Sequence, residues 1–287
     1  MQWDADKPSA DGKASHQRDN ESAKMKIRRK TTNPSPSGRP LFIIGYTSAS
    51  PALSDLRSWF DLEYGGPITF QEHRSERGEV DIGSPTLTAT HGPWKATYRA
   101  SLPLAEADEW RHRLDWLHPL AGSVFTTRTT PREASDAVLL AARLARGLTL
   151  LTDGTAYDLI THTYLNPSDW QDRPLDQYRT RDHVTVVQAE DTTSHQDWFH
   201  TRGLTKFGLD EVECFRPVGL PSRAVMENMA AIADELVHIG HPPKVGATVR
   251  LEGAGLLVRV IRHRTVSLPG TLLALREIVW ESLPADR

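Results

Sequence analysis

A single cysteine, Cys214, stands in 287 residues. No disulfide can therefore close within the chain, and a Cys₄ or Cys₂His₂ zinc site is impossible in it. Without a disulfide framework, the cytoplasm is the simplest expected compartment. Apolar runs are short, well under the roughly 18–20 residues that cross a bilayer. The N-terminus lacks the apolar core of a signal peptide, so no membrane association is expected. Nor does one sign of charge dominate: 34 Lys and Arg oppose 37 Asp and Glu, for a net charge of -3. That balance excludes a globally basic nucleic-acid binder, though not a local basic patch. The sequence also has no Gly-x-x-x-x-Gly-Lys-Ser/Thr phosphate cradle, no Gly-x-Gly-x-x-Gly after a strand, no Gly-x-Ser-x-Gly and no His-Glu-x-x-His. These absences argue against the common nucleotide-dependent enzymes, serine esterases and zincin proteases.

What is present divides into a tail and a body. Residues 1–40 hold one Ile and neither Leu nor Val, amid Asp, Ser, Lys, Asn, Pro and Gly. Such a segment buries too little apolar surface to offset its ordering entropy, so a disordered tail is expected. Its basic cluster Lys26, Arg28, Arg29 and Lys30 is the one place where a nucleic-acid contact is expected, against the plainer reading of a solvated tail. Met25-Lys26-Ile27 also has the character of a natural start, which would make 1–24 an over-long reading of the gene.

From Leu41 to residue 287 the pattern is that of a single α+β domain. Leu41–Gly45 reads as a buried strand. Ser50-Pro51 should open a helix with Leu53, Leu56 and Phe60 on one face, closed by Gly65-Gly66. Ile68–His73, Thr86–His91 and Trp94–Leu102 alternate as strands, the last two joined at Gly92-Pro93. A helix over 105–117 and a strand over Gly122–Thr127 follow. Thr130-Pro131-Arg132-Glu133 has the form of a capping box, and its helix should stop at Gly147 before a strand Leu148–Leu151. Val184–Val187 and Val212–Phe215 read as strands around one helical turn at Gly203–Phe207. Pro221–Ile239 reads as the longest helix, and Val245–Leu251, Leu256–Arg262 and Leu272–Val279 as closing strands. Hairpin-linked strands mixed with single long helices predict helices packed on mostly antiparallel sheets. The order also allows a division near 155–180 into two related α+β layers.

Several side chains invite chemistry. His195 and His200 flank Asp197, and His238 and His241 form His-x-x-His at a helix end. A metal needs three or four converging ligands, so no metal site and no cofactor is expected from these pairs. His238 in a last helical turn is already explained by the helix dipole. Cys214 in an apolar strand reads as a small buried hydrophobe rather than a reactive thiol. Glu211 and Glu213 share a strand face, where a solvated face is the plainer expectation and a buried acid–base pair the sharper one. The tryptophans at 59, 94, 110, 116, 170 and 198 have no interleaved basic run and so give no base-stacking platform. A patch that binds another protein accommodates them, since Trp is enriched at interfaces.

The segment Thr201-Arg202-Gly203-Leu204-Thr205-Lys206-Phe207-Gly208-Leu209-Asp210-Glu211-Val212-Glu213 resembles the core motif of an uncharacterised bacterial family, the domain of unknown function numbered four-two-six-one. That motif runs Thr-x-Gly-Leu/Met, Phe-Gly, Glu-Leu-Glu, and Val212 departs from its Leu. A Gly154-x-x-Tyr157-Asp158 turn before it and a long helix after it, leading to a turn at Gly246, fit the same pattern. The resemblance implies a bacterial protein in the style of accessory or immunity-like proteins, and supplies no catalytic residues. Read physically, Gly203 and Gly208 bracket a turn, Thr201 caps it, and Leu204 and Phe207 plug the core, which makes the motif a structural latch. Alternatively Thr201, Gly203, Leu204, Phe207, Gly208, Glu211 and Glu213 line a small pocket with exposed N–H groups. The corresponding functional expectations are a non-enzymatic module that binds another protein, or a small hydrolase or metal-dependent enzyme centred on Thr201, Glu211 and Glu213 with His195 or His200.

Overall fold

The computed structural model describes residues 41–46, 51–73, 86–100, 120–126, 131–191, 195–217, 221–268 and 271–283. The tail over 1–40, the helix expected over 105–117, Ser50, Thr130, Trp110 and Trp116 lie outside them. The fold is α+β, as the pattern of hairpins and long helices predicts. Strands β1 (Phe42–Gly45), β2 (Ile68–His73), β3 (Thr86–His91), β4 (Trp94–Ala100), β5 (Leu120–Thr126), β6 (Thr155–Asp158) and β7 (Thr163–Leu165) form a first sheet in the order β2-β3-β4-β5-β1-β6-β7. Its neighbouring strands are all antiparallel. Strands β8 (Thr185–Asp191), β9 (Gln196–Arg202), β10 (Glu211–Pro217), β11 (Thr248–Leu251), β12 (Leu256–Leu268) and β13 (Thr271–Ser282) form a second, ordered β11-β12-β13-β10-β9-β8. In this sheet β10 and β13 are parallel. Helices α1 (Leu53–Tyr64), α2 (Pro131–Thr152), α3 (Pro167–Gln171) and α4 (Ser222–Ile239), with 3₁₀ turns at Thr180–Asp182 and Leu204–Phe207, complete the described elements. Buried side chains from both sheets belong to one continuous core. Among the described residues no helix is long and apolar enough to cross a membrane.

The helices depart from expectation in instructive ways. Helix α1 opens at Leu53 rather than at Pro51, because the Ala52 carbonyl is the one that closes the first turn, accepting from the Asp55 and Leu56 amides. Helix α2 does not stop at Gly147, and Leu148–Leu151 is helix rather than strand. At 22 residues it is longer than the 18-residue α4, which the sequence pattern marks as the longest. It is buried nearly all the way round. A short apolar run on such a helix cannot be told from a core strand by periodicity. Its two buried arginines meet partners: Arg143 donates to the Leu175 and Asp176 carbonyls, and Arg146 to Glu63, Tyr64 and the Trp170 carbonyl.

Gly147 is a packing residue. A Cβ there would lie 2.6 Å from Trp59 Cζ3 and 3.0 Å from Leu56 Cδ1. Trp59 cannot simply swing away, since Tyr64 packs edge-on against it at 5.7 Å and Arg146 lies over its ring at 5.5 Å. Alanine would gain about 1 kcal/mol in helix propensity. Overpacking costs about 1–3 kcal/mol, so Gly147→Ala should lower the urea midpoint rather than raise it.

Candidate functional site

The Thr201–Glu213 motif folds into a turn built around one carboxylate. β9 ends at Arg202, a 3₁₀ turn spans Leu204–Phe207, and β10 begins at Glu211. The Glu211 side chain is fully buried. It accepts from the amides of Gly203 (2.9 Å), Leu204 (3.2 Å) and Thr205 (3.2 Å), and from the hydroxyls of Thr201 (2.7 Å) and Thr205 (3.3 Å). Thr201 Oγ1 in turn accepts from the Val212 amide at 2.9 Å. The N–H groups that would line a pocket are thus filled by the chain's own carboxylate. Thr201 does not cap the turn directly; Glu211 does. Gly203, at φ 124°, must be glycine, since a Cβ would lie 2.3 Å from the His183 carbonyl oxygen. Gly208 closes the turn in the left-handed region at φ 74°. Leu204 and Phe207 plug the core as expected.

Glu213 is also fully buried, so the solvated strand face expected for this pair is wrong. Its carboxylate takes two bonds of 2.6 Å from Arg264 and one of 2.8 Å from Trp198 Nε1. A bulge between Val260 and Arg262 makes this pairing, because it inverts the alternation along β12. Val258 and Val260 are buried before it, whereas Arg264 after it reaches the face that carries Glu213. On the opposite face Cys214 is buried against Met229 of α4, and burial pushes its thiol up to about 12.

Lys206, unremarked between the two plugs, is the residue that sequence reasoning misses. It is buried, and its Nζ donates to Asp158 Oδ2 and, at 2.8 Å, to the His183 carbonyl. Asp158 Oδ1 accepts from the Ile160 and Thr161 amides, which shapes the turn between β6 and β7. The motif of the second sheet is thereby pinned to the edge of the first. A lysine in a turn whose other side chains all point inward is the signal that could have found it.

Beside this brace lies a run of aromatic and basic side chains, half-buried apart from the buried His200. Tyr157 stacks on Tyr164 at 4.3 Å and meets His162 Nδ1 through its hydroxyl at 2.8 Å. Arg202 Nε donates to His200 Nε2 at 3.4 Å, and His200 stacks on Trp198 at 4.1 Å. Arg264 lies over the Trp198 and Phe215 rings at 5.7 and 5.3 Å. His200 and Asp197 project to opposite faces of β9, and His195 sits in the exposed turn before it, so these three do not converge. Among the described residues no three His, Cys, Asp or Glu side chains are grouped to hold a metal ion.

Three histidines are held neutral here. Burial lowers His200 to about 4, helped by the Arg202 and Arg264 cations. Burial, then the Lys206 and Arg173 cations, put His183 well below its usual range, with neither ring nitrogen partnered among the described residues. Burial and then Arg202 also lower His162, which Asp158 partly opposes. The unfolded chain takes up protons on these rings from pH about 6.5 downward, while the native rings take them up only at lower pH, His200 near 4. Stability should therefore be flat in this respect above pH 6.5 and fall between about 6.5 and 4. Urea titrations across that window should show His200→Asn with a shallower slope than wild type.

No protein-family model matches the chain, and no curated protein or solved structure does either. Function is thus read from this chain's own geometry.

Proposed function

We propose that the protein is a non-enzymatic binding module whose partner is another protein, engaged through the face that carries Tyr157, Tyr164, Trp198, Arg202 and Arg264. The observation that carries this reading is the contrast between the motif and its neighbours. Every polar atom of Glu211 is spent on the turn, and Glu213 is held by Arg264 and Trp198, so neither carboxylate is left to act on a substrate. The adjoining half-buried Tyr, Trp and Arg side chains are the types that dominate binding energy at protein interfaces. The resemblance to the four-two-six-one family, with its immunity-like style, points the same way by analogy. The two carboxylates of the hydrolase reading, Glu211 and Glu213, are both engaged within the fold, which favours the binding reading.

The test is affinity purification at native expression, comparing wild type with a Tyr157→Ala/Tyr164→Ala variant by mass spectrometry. A recurrent protein lost from the variant supports the reading. A partner-free protein, or one whose partners stay with the variant, sinks it.

A further inference from the structure

Within that binding reading, on which this inference rests, we propose that Arg202 forms a seat for one aspartate or glutamate carboxylate of the partner protein. The basis is a cation with no carboxylate partner among the described residues. Elsewhere in the second sheet Arg264 pairs with Glu213, Arg262 with Glu277 and Arg276 with Asp210, while Arg216, on the opposite face, lies over the Trp280 ring at 4.6 Å. Arg202 is half-buried, yet its one hydrogen bond among the described residues goes to a neutral imidazole. The rings of Tyr157, His162 and His200 all lie within its electrostatic reach. The neighbouring carboxylate, Asp158, is committed to Lys206 and two amides.

The chemistry beside it suits an acceptor. With Nε2 of His200 accepting from Arg202, the ring proton sits on Nδ1, which is buried out of a partner's reach and leaves recognition to the guanidinium. A guanidinium offers two parallel N–H groups in a fork that a carboxylate fills. Tyr157 lies within electrostatic reach of Arg202, and apolar surface near such a cation excludes water and strengthens an ion pair. A phosphate backbone would need a row of such cations. Among the described residues Arg202 meets no carboxylate, and Arg264 on the same face is neutralised by Glu213, in a chain of net charge -3. A protein carboxylate is the anion this arrangement fits.

The experiment uses the full chain and a capped hexaglutamate peptide, followed by histidine-resolved nuclear magnetic resonance. Saturable binding that weakens with salt is expected, and the His162 pKa should rise as the carboxylate arrives. Arg202→Gln should weaken binding by about tenfold, as loss of a charge-assisted forked contact does. Arg202→Lys should lie between, and Arg223→Gln, an exposed arginine on α4, should change nothing. An unchanged urea midpoint will show that the Arg202 variants fold. Absence of peptide binding, equal binding by hexalysine, or binding indifferent to Arg202→Gln overturns the seat. Tighter binding of a single-stranded DNA hexamer than of the peptide also overturns it. If a co-purifying partner leaves the Tyr157→Ala/Tyr164→Ala variant but stays with Arg202→Gln, the seat fails and the binding reading stands. If the peptide binds through Arg202 while no partner depends on the tyrosines, the binding reading fails and takes with it the seat as a partner's, leaving Arg202 as a carboxylate site only.

Discussion

Glu211→Gln should unfold or nearly unfold the protein, rather than leave a folded chain with a lost activity. The carboxylate accepts from three backbone amides and two hydroxyls in a fully buried turn. An amide side chain keeps one acceptor oxygen and presents an NH₂ group to the remaining donors. Each buried donor left unmatched costs about 1–3 kcal/mol. The combined loss should be about 3–5 kcal/mol, a large share of the ~5–15 kcal/mol that holds a domain together. Glu211→Ala should be as damaging. Thr201→Ala removes one donor and frees the Val212 amide, so it should cost less, about 1–2 kcal/mol. Urea unfolding of the three variants gives this order directly. A Glu211→Gln protein with a wild-type midpoint would mean that the turn does not depend on its carboxylate, and would reopen the motif as a reactive site.

The same residue shows how far the sequence can be read. The spacing of Gly203, Gly208, Leu204 and Phe207 foretells a glycine-bracketed turn with two plugs, because backbone angle and hydrophobicity are local properties. The alternation of Glu211 and Glu213 foretells a shared face. Whether that face is wet depends on what arrives from elsewhere in the chain, and Arg264 arrives only through a bulge that no local pattern announces. Gly147 fails for the converse reason. Glycine after a run of helix formers ordinarily marks an end, but here the missing Cβ admits Trp59 of another helix, so a tertiary contact overrides a local signal. Tyr157 and Arg202, on different sheets, lie within electrostatic reach of each other, and their proximity has no trace in either local segment.

Lys206→Met tests the brace between those sheets. Methionine preserves most of the length and apolar body of lysine, so the change isolates the charge. It leaves the Asp158 carboxylate in the core with two amides but no cation, and deprives the His183 carbonyl of its donor. Breaking a buried pair from one side costs about 3–5 kcal/mol, and the urea midpoint should fall accordingly. The informative variant is the double one. In Lys206→Met/Asp158→Asn the asparagine oxygen still accepts from Ile160 and Thr161, and no ion is left without a counter-charge. Replacing both members of a buried pair is often nearly neutral, so the double variant should regain much of what the single one loses, with a coupling energy of about 2–3 kcal/mol. A lysine kept for reactivity would behave differently, since restoring the fold would not restore function. If the double variant recovers both stability and the co-purifying partner, Lys206 holds the binding face together without touching what binds there. If it recovers stability alone, the charge itself takes part in recognition.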